Sequence, residues 1–375
     1  KSLGQPEKKF PLSLVACREC GLLQLGYFVD EKIVFKNYHY FSGASAPAVK
    51  HFEKYADELL KRFPGQSRGL VVDIGSNDGT FLKALKDKGT SVLGVDPARN
   101  VAEINKKSGI STLIKFFGKA TGRIIARRYG PASIITANNV LAHTPDLHDF
   151  MAGIELVLAP NGVAVIEVQY AGDLLSKREF DNLYHEHYFY FALQPLIRLF
   201  KIHHMKIFDV ERVETQGGSL RIYAARENFK IAVSKRVSKV LRGEKKYDPD
   251  EIYRDFSDYA KRFRNELTDL LINLKKEGKN IVGYGAPAKG NTLLQYCKLG
   301  SDLIDYIVDT TPFKQGKFTP GTHIPILKPE EMYKNPPDYV LLLAWNYAPY
   351  ILKKELGLRK LGVKFILPTK GIKIL

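Results

Sequence analysis

The chain has 375 residues, more than one ordinary hydrophobic core organises, so we expect two or three domains. Hydrophobic residues make up 45% and charged residues 26%, which is ordinary for a globular protein. The absence of a long apolar run excludes a membrane-spanning helix, and only 3 cysteines exclude a disulfide framework. We therefore expect a protein of the reducing cytoplasm.

The formal net charge is +17, which is compatible with nucleic acid, a membrane surface or a polyanionic small molecule as partner. The basic residues are spread along the chain, and the densest run, 235–246, lies on a predicted helix without interleaved aromatic residues. This pattern is typical of a solvated helical face. We expect no nucleic-acid or membrane partner, and a phosphate-bearing substrate is the next interpretation.

Two features mark the irregular first 50 residues. Cys17 and Cys20 form a C-x-x-C pair, half of a tetrahedral zinc site. The remaining cysteine, Cys297, is far along the chain, so we expect that the second pair preceded Lys1 and was removed. The alternative is two ordinary cysteines in a turn. Residues 38–42 form an aromatic and hydroxyl cluster, which either packs against a neighbouring domain or lines a pocket.

Strand and helix patterns then alternate, which predicts a parallel, doubly wound sheet. An amphipathic helix over 46–62 precedes them. The expected strands are 70–74, 91–95, 112–114, 132–137 and 162–168, and the expected helices are 80–88, 101–108, 120–128 and 147–157. Two further strands, 204–213 and 219–225, flank Gly217 and Gly218 and predict a terminal antiparallel hairpin.

A charged helical stretch runs to about residue 276, with a break near Pro249, and a second α/β pattern follows. Its expected strands are 280–284, 303–308, 339–343 and 364–366, and its expected helices are 289–298, 329–333 and 347–356. The resulting prediction is an N-terminal zinc-binding-type segment (1–48), a Rossmann-like α/β domain (49–227) and a helical linker with a smaller Rossmann-like domain (228–375).

The glycine turn after the first strand of this sheet predicts a small-molecule site. Gly75 and Gly79 are spaced Gly-x-x-x-Gly, with Asp73 two residues before them, which is not the fingerprint of a pyrophosphate binder. A carboxylate there repels pyrophosphate and suits a cationic ligand such as S-adenosylmethionine. Asp96 ends the next strand, where a carboxylate accepts hydrogen bonds from a ribose diol. NAD binding and an empty switch point are the alternatives.

Three further stretches contain residues suited to chemistry. Asn138, Asn139 and His143 follow the fourth strand and open onto the same crevice, although a lone loop histidine is often structural. The stretch 184–191 reads Tyr-His-Glu-His-Tyr-Phe-Tyr-Phe and offers general bases near neutral pH. Metal binding and core packing are its alternatives. In 283–292, a glycine-rich turn and Lys289 could hold a phosphate; a dinucleotide site and a turn that only packs the helix stay open.

These stretches, with 17–24 and 216–221, resemble the three-domain S-adenosylmethionine-dependent sugar C-methyltransferases across nearly the whole chain. The resemblance implies an N-terminal zinc-binding domain, a central class I methyltransferase domain and a C-terminal Rossmann-like domain. It also implies methylation of the carbon α to a ketone on a nucleotide-diphosphate keto-sugar, with dTDP as the expected nucleotide. A base removes the proton beside the carbonyl, and the resulting enolate attacks the sulfonium methyl.

The resemblance also assigns roles to residues. His187 is the preferred base, and Tyr184, Glu186 and His143 orient it or stabilise the enolate oxygen. The cofactor is expected on Asp73, Gly75, Ser76, Asn77, Gly79, Asp96, Pro97, Asn138 and Asn139. The substrate is expected on Tyr38, Tyr40, Ser42, Gly217, Gly218, Ser219, Arg221, Ala286, Lys289 and Gly290. Zinc is expected on Cys17 and Cys20.

Other functions fit the same sequence. The cofactor loop is equally suited to an O- or N-methyltransferase, which needs a base near a hydroxyl or amine and no enolate stabiliser. A non-catalytic nucleotide-binding protein is a third possibility. We expect a cytoplasmic monomer or homodimer.

Overall fold

A computed structural model describes residues 6–35, 41–44, 46–214, 217–245, 249–369 and 371–375. The chain forms two compact units. The larger unit contains Ser13–Ala171 and His185–Lys246, and the smaller unit contains Lys1–Leu12, Gly172–Tyr184 and Tyr247–Leu375. The expected three-part division at residues 48 and 227 stays a prediction.

A small antiparallel sheet begins the larger unit. Its strands are β1 (Leu14–Ala16), β2 (Leu23–Leu25) and β8 (Phe189–Tyr190), in that order, and a short helix α1 (Glu31–Phe35) follows β2. The turn between β1 and β2 carries both cysteines of the C-x-x-C pair, and the Gly21 N–H donates to the Cys17 carbonyl at 2.9 Å.

A seven-stranded sheet forms the body of the larger unit. Its strands are β3 (Leu70–Ile74), β4 (Ser91–Val95), β5 (Thr112–Leu113), β6 (Ala132–Asn138), β7 (Leu158–Gln169), β9 (Met205–Val213) and β10 (Ser219–Arg226). Their spatial order is β5-β4-β3-β6-β7-β10-β9. The first five are parallel, whereas β10 runs antiparallel to both β7 and β9. The predicted α/β class and the closing hairpin are confirmed.

Helices connect and cover this sheet. They are α2 (Ala46–Arg62), α3 (Thr80–Lys86), α4 (Arg99–Lys107), α5 (Lys119–Arg128), α6 (Leu147–Val157), α8 (Leu193–Ile202) and α9 (Lys235–Glu244). Adjacent residues of one strand point to opposite faces, so Val72 packs in the core beneath α6 while Val71 packs beneath α2. Both side chains are fully buried, which explains why these strands read as continuous apolar runs.

The smaller unit contains a second, six-stranded sheet. Its strands, in the spatial order β13-β12-β11-β14-β15-β16, are β11 (Ile281–Tyr284), β12 (Ile307–Val308), β13 (Ile326–Leu327), β14 (Tyr339–Leu342), β15 (Lys364–Pro368) and β16 (Ile372–Ile374). Only β16 is antiparallel to its neighbour. The helices are α7 (Ala171–Ser176), α10 (Pro249–Lys276), α11 (Ala288–Tyr296), α12 (Glu331–Lys334), α13 (Ala348–Lys354) and α14 (Leu356–Lys360).

Two predictions for the smaller unit were wrong in detail. The strand expected over 303–308 is confined to β12, because the N–H groups of Leu303 and Ile304 both donate to the Gly300 carbonyl and close a turn there. The helix expected over 347–356 ends at Lys354, and α14 begins at Leu356. The strand over 326–327 was not predicted. None of the helices in the described part of the chain is long and apolar enough to span a membrane.

Candidate active site

The candidate site of the larger unit lies at the carboxyl ends of β4, β3, β6 and β7, which are neighbours in the sheet. The chain passes from β3 to β4 on one side and later returns to β6 on the other side of β3. This reversal is a topological switch point, and open α/β sheets bind ligands in the crevice that it leaves.

The turn after β3 depends on its glycines. Gly75 and Gly79 have φ angles of 67° and 75°, in the left-handed region that favours glycine. A Cβ at Gly75 would lie 2.4 Å from a methyl of Val140, and one at Gly79 would lie 2.2 Å from Oδ1 of Asn105. Asn105, on α4, is fully buried and its Nδ2 donates to the Asn77 carbonyl at 2.8 Å. Sequence reasoning missed this residue, since an asparagine inside a helix gives no local signal.

Two buried carboxylates flank the turn. Asp73 is 4% exposed and accepts a hydrogen bond from the Thr136 hydroxyl at 2.6 Å. Burial, with a smaller contribution from the charge of Asp96, raises the pKa of Asp73 to about 7, although the hydrogen bond from Thr136 opposes the shift. Asp96 accepts from the N–H groups of Asn77 and Ala98, both at 2.9 Å, and burial raises its pKa too. A cationic ligand would relieve this unfavourable negative charge.

Other predicted residues lie against the same turn. The Ser42 N–H donates to Oδ1 of Asn77 at 3.0 Å, so Ser42 contacts the predicted cofactor loop. Ser76 is 4% exposed, and half-buried Pro97 directly follows Asp96. Tyr38 and Tyr40 lie outside the described residues.

The end of β6 joins this crevice. Asn138 pairs in register with Glu167 of β7. Asn139 has a left-handed φ of 56°, and its N–H donates to the Glu167 carbonyl at 2.8 Å. The short helical turn that follows ends at His143, so this histidine lies only a few residues after the carboxyl end of β6.

His143 lies beside His187. Their ring centroids are 4.8 Å apart. Burial, with a smaller contribution from His143, holds the pKa of His187 well below its usual value. His143 keeps part of its surface exposed, yet desolvation lowers its pKa to about 4. Both imidazoles are therefore neutral at pH 7.

Gln169, the last residue of β7, sets the tautomer of His187. Its Oε1 lies 3.1 Å from Nδ1 of His187. An amide oxygen only accepts, so Nδ1 carries the proton and Nε2 keeps its lone pair. A neutral, buried and oriented imidazole with a lone pair on Nε2 is suited to general-base chemistry. Gln169 was also missed from the sequence.

The remainder of the stretch 184–191 divides into polar and core residues. Burial raises the pKa of half-buried Glu186, and Tyr184 is also half-buried. Tyr188 and Tyr190 are fully buried, and the Tyr188 hydroxyl donates to the Val29 carbonyl at 2.7 Å. The aromatic half of the stretch is therefore packing, one of the alternatives considered.

The β9–β10 hairpin adds a buried ion pair next to Gln169. Arg221 and Glu167 are 3% and 2% exposed, and Nη2 of Arg221 lies 3.0 Å from Oε2 of Glu167. The guanidinium carbon also lies 3.7 Å above the ring of Tyr55. Ser219 pairs in register with Gln169, and the Gly218 carbonyl accepts from the Tyr170 N–H at 3.0 Å. The structure thus places Gly218 and Ser219 beside the end of β7 and Arg221 beside Glu167, whereas the expected role of Gly217 stays a prediction.

The glycine-rich turn of the smaller unit follows β11. Gly285 has a φ of 85°, and the Ala286 N–H donates to the Asp309 carboxylate at 2.7 Å. Beside the turn is a cavity of about 200 Å³ whose lining includes Ala286, Gly290, Asn291, Lys314, Lys317 and Phe318. Lys289 is 8% exposed and does not appear in this lining; its expected contact with phosphate stays a prediction.

Neither cysteine of the C-x-x-C pair is buried, and hydrogen bonds from the backbone of Cys20 and Glu19 lower the pKa of Cys17. The described residues contain no group of three or more histidine, cysteine, aspartate or glutamate side chains placed to hold a metal ion. Zinc binding stays a prediction.

A parallel sheet closed by an antiparallel hairpin, with a glycine turn and two acidic strand ends, defines a class I S-adenosylmethionine-dependent methyltransferase. Residues 49–204 match the family model described as a methyltransferase domain, and residues 214–369 match the C-methyltransferase C-terminal domain. The chain is 37% identical to the C-methyltransferase NovU of Streptomyces niveus over 364 residues, which covers 96% of this chain and 87% of NovU. It belongs to the C-methyltransferase family and is an S-adenosylmethionine-dependent methyltransferase.

Two solved structures are also similar. Magnesium protoporphyrin IX methyltransferase of Synechocystis PCC 6803, with bound SAM, is 13% identical, with a TM-score of 0.39 over 54% of this chain and 99% of its own. An S-adenosylmethionine-dependent methyltransferase from Clostridium acetobutylicum ATCC 824 is 12% identical, with a TM-score of 0.38 over 47% of this chain and 92% of its own.

Proposed function

We propose that this methyltransferase acts on the carbon α to a ketone of a nucleotide-diphosphate keto-deoxysugar, with dTDP as the nucleotide. The observation that carries this proposal is the neutral, buried His187, whose Nδ1 faces the amide oxygen of Gln169 at 3.1 Å. Methyl transfer to a carbon needs a base that is unprotonated at neutral pH and reaches a C–H bond. A hydroxyl or amine acceptor depends less on such a base.

The cofactor fits the crevice of the larger unit. Asp73 and Asp96 are buried acids with raised pKa values, so a ligand with sulfonium and ammonium charges stabilises their ionised forms. The turn beside these acids depends on Gly75 and Gly79, because a side chain at either position would clash with Val140 or Asn105. S-adenosylmethionine, when bound, supplies an electrophilic methyl group.

His187 performs the proton transfer in this mechanism. Its Nε2 takes the proton from the carbon beside the ketone, and the electron pair of that C–H bond delocalises into the carbonyl as an enolate. His143, at 4.8 Å between ring centroids, and Glu186 are the candidates to stabilise the enolate oxygen. Glu186 donates only in its protonated form, which its raised pKa favours. Tyr184, which lies three residues before His187 in the sequence, is proposed to orient the base or to stabilise the enolate oxygen. Tyr38, Tyr40 and the hairpin residues 217–221 are proposed to contact the sugar.

The nucleotide diphosphate is assigned to the cavity beside the glycine-rich turn of the smaller unit. Lys314 and Lys317 line the cavity and supply positive charge for phosphate, and Phe318 supplies an apolar surface for a base. Nζ of Lys314 is held 2.9 Å from the Ala286 carbonyl, so its position is fixed before the ligand arrives. The net charge of +17 also favours an anionic substrate.

The test is product analysis with ¹³C-methyl S-adenosylmethionine and a panel of dTDP-keto-deoxysugars. We expect a new carbon-bound methyl group, recognised in NMR spectra by its coupling to a sugar carbon. A methyl on oxygen or nitrogen would establish the O- or N-methyltransferase instead. Failure to methylate any keto-sugar, with S-adenosylmethionine bound and intact, would favour a different substrate class.

A further inference from the structure

Lys289 lies in a buried cluster of charged and aromatic side chains within the smaller unit. Its Nζ lies 3.8 Å from the ring centroid of Trp345 and 3.5 Å from Oδ1 of Asn182. Burial lowers the pKa of Lys289, and the negative charges of Asp181 and Glu179 oppose that effect. Its ammonium is therefore already surrounded by cation-binding partners of its own unit.

The acidic members of the cluster are also held. Asp181 is 5% exposed and accepts a hydrogen bond from the indole N–H of Trp345. Glu179 accepts from Nδ2 of Asn182 at 2.7 Å, and burial raises the pKa of Glu179 to about 7. Lys289 thus faces two buried carboxyl groups, and burial raises the pKa of both.

Helix α11, which carries Lys289, also binds the backbone of segment 179–183, which contains Glu179 and Asp181. The Thr292 hydroxyl, one turn along α11 from Lys289, donates to the Leu183 carbonyl at 2.8 Å. Phe180 packs on the ring of Tyr296, at 5.2 Å between centroids. Three side chains of α11 therefore fix residues 179–183, and the next residue in the chain is Tyr184.

We infer that Lys289, with Asp181 and Trp345, forms a brace that fixes segment 179–183 and thereby positions Tyr184, the next residue of the same unit. In this role Lys289 is a positioning residue and not a phosphate ligand. The inference rests on the proposed function, since it takes Tyr184 as one of the residues that orient the base or stabilise the enolate oxygen. It explains why a lysine in a glycine-rich turn is buried against an indole ring instead of lining the neighbouring cavity.

The two roles of Lys289 predict opposite kinetics for Lys289→Met. A brace acts on the geometry of the reacting groups, so we expect kcat to fall at least about tenfold while KM for the nucleotide sugar stays within about twofold. The Kd of S-adenosylmethionine stays unchanged. If Lys289 instead binds phosphate, KM rises by about tenfold or more while kcat is retained, and this result would overturn the inference.

Two further variants separate the brace from a folding defect. Trp345→Phe keeps an aromatic ring for the ammonium but removes the indole N–H that donates to Asp181, so we expect a smaller fall in kcat. Thr292→Val removes only the hydrogen bond from the hydroxyl to the Leu183 carbonyl. If Lys289→Met does not fold, Thr292→Val replaces it as the variant that weakens the brace. Lys364→Met is the matched control, because Lys364 is exposed and lies 5.7 Å from the ring of Tyr339 in the same unit; its kinetics should equal wild type.

Hydrogen–deuterium exchange tests the brace without any substrate. In Lys289→Met we expect faster exchange of backbone amides in peptides spanning 179–184 than in wild type or Lys364→Met. Unchanged protection there would overturn the brace even if the proposed substrate is correct. Lost protection together with no activity of wild type on keto-sugars would leave the brace standing and reject the substrate proposal.

Discussion

Replacement of Gln169 by leucine tests how His187 is held. The variant keeps a side chain of similar volume but removes the oxygen that lies 3.1 Å from Nδ1 of His187. Both residues are nearly fully buried, at 3% and 4% exposed, so water replaces the lost partner poorly. Loss of one hydrogen bond at a buried donor costs about 1–3 kcal/mol. We therefore expect kcat to fall by about 5- to 150-fold, since about 1.4 kcal/mol corresponds to a tenfold change in rate.

The assay is single-turnover methyl transfer at saturating S-adenosylmethionine, with the Kd of the cofactor measured separately. We expect that Kd to change by less than about twofold, because Gln169 faces the imidazole and not the glycine turn. Gln66→Leu is the matched control: Gln66 lies before the amino end of β3, and its amide donates to the Asn161 carbonyl at 3.1 Å. A wild-type kcat in Gln169→Leu, at unchanged thermal stability, would refute this role of Gln169.

Three further predictions concern the larger unit. Below pH 7 a cationic cofactor must displace a proton from Asp73, whose pKa without ligand is about 7. The Kd of the cofactor, measured by calorimetry, should therefore rise about tenfold for each pH unit below 7. The same pH dependence in Asp73→Asn would contradict this. Gly79→Ala should weaken cofactor binding by about tenfold or more, whereas Gly89→Ala, at a similar φ of 83° with open space, should not. Arg221→Met leaves Glu167 buried without its cation and should lower the free energy of unfolding by about 3–5 kcal/mol, with Arg221→Met/Glu167→Gln recovering part of the loss.

The sequence was sufficient for features that depend on neighbouring residues. The apolar run of β3, the glycines after it and the amphipathic face of α2 are local patterns, and the structure has β3 and α2 at the predicted residues. The antiparallel hairpin could also be predicted, because two apolar runs flank Gly217 and Gly218 in the sequence. The strand expected over 303–308 was wrong since a turn closed by Gly300 competes with it.

Contacts between residues that are far apart in the sequence could not be predicted from it. Gln169 and His187 are brought together by the end of β7, and nothing near Gln169 in the sequence distinguishes it from a core strand residue. Asn105 likewise matters only because α4 places it under the turn at Asn77. Lys289 is a third case: its expected contact with phosphate stays a prediction, and its contacts with Trp345 and Asn182, far away in the sequence, gave no local signal.

The most direct test of the account is deuterium exchange at the sugar carbon α to the ketone, with S-adenosylhomocysteine in place of S-adenosylmethionine. In D₂O, the wild-type protein should introduce deuterium at that carbon, because proton removal by His187 does not require a methyl group. His187→Asn should bind S-adenosylhomocysteine with unchanged affinity and show no exchange. Exchange that persists in His187→Asn, or a wild-type protein that methylates the sugar without exchange, would contradict the assignment of His187 as the base that generates the enolate.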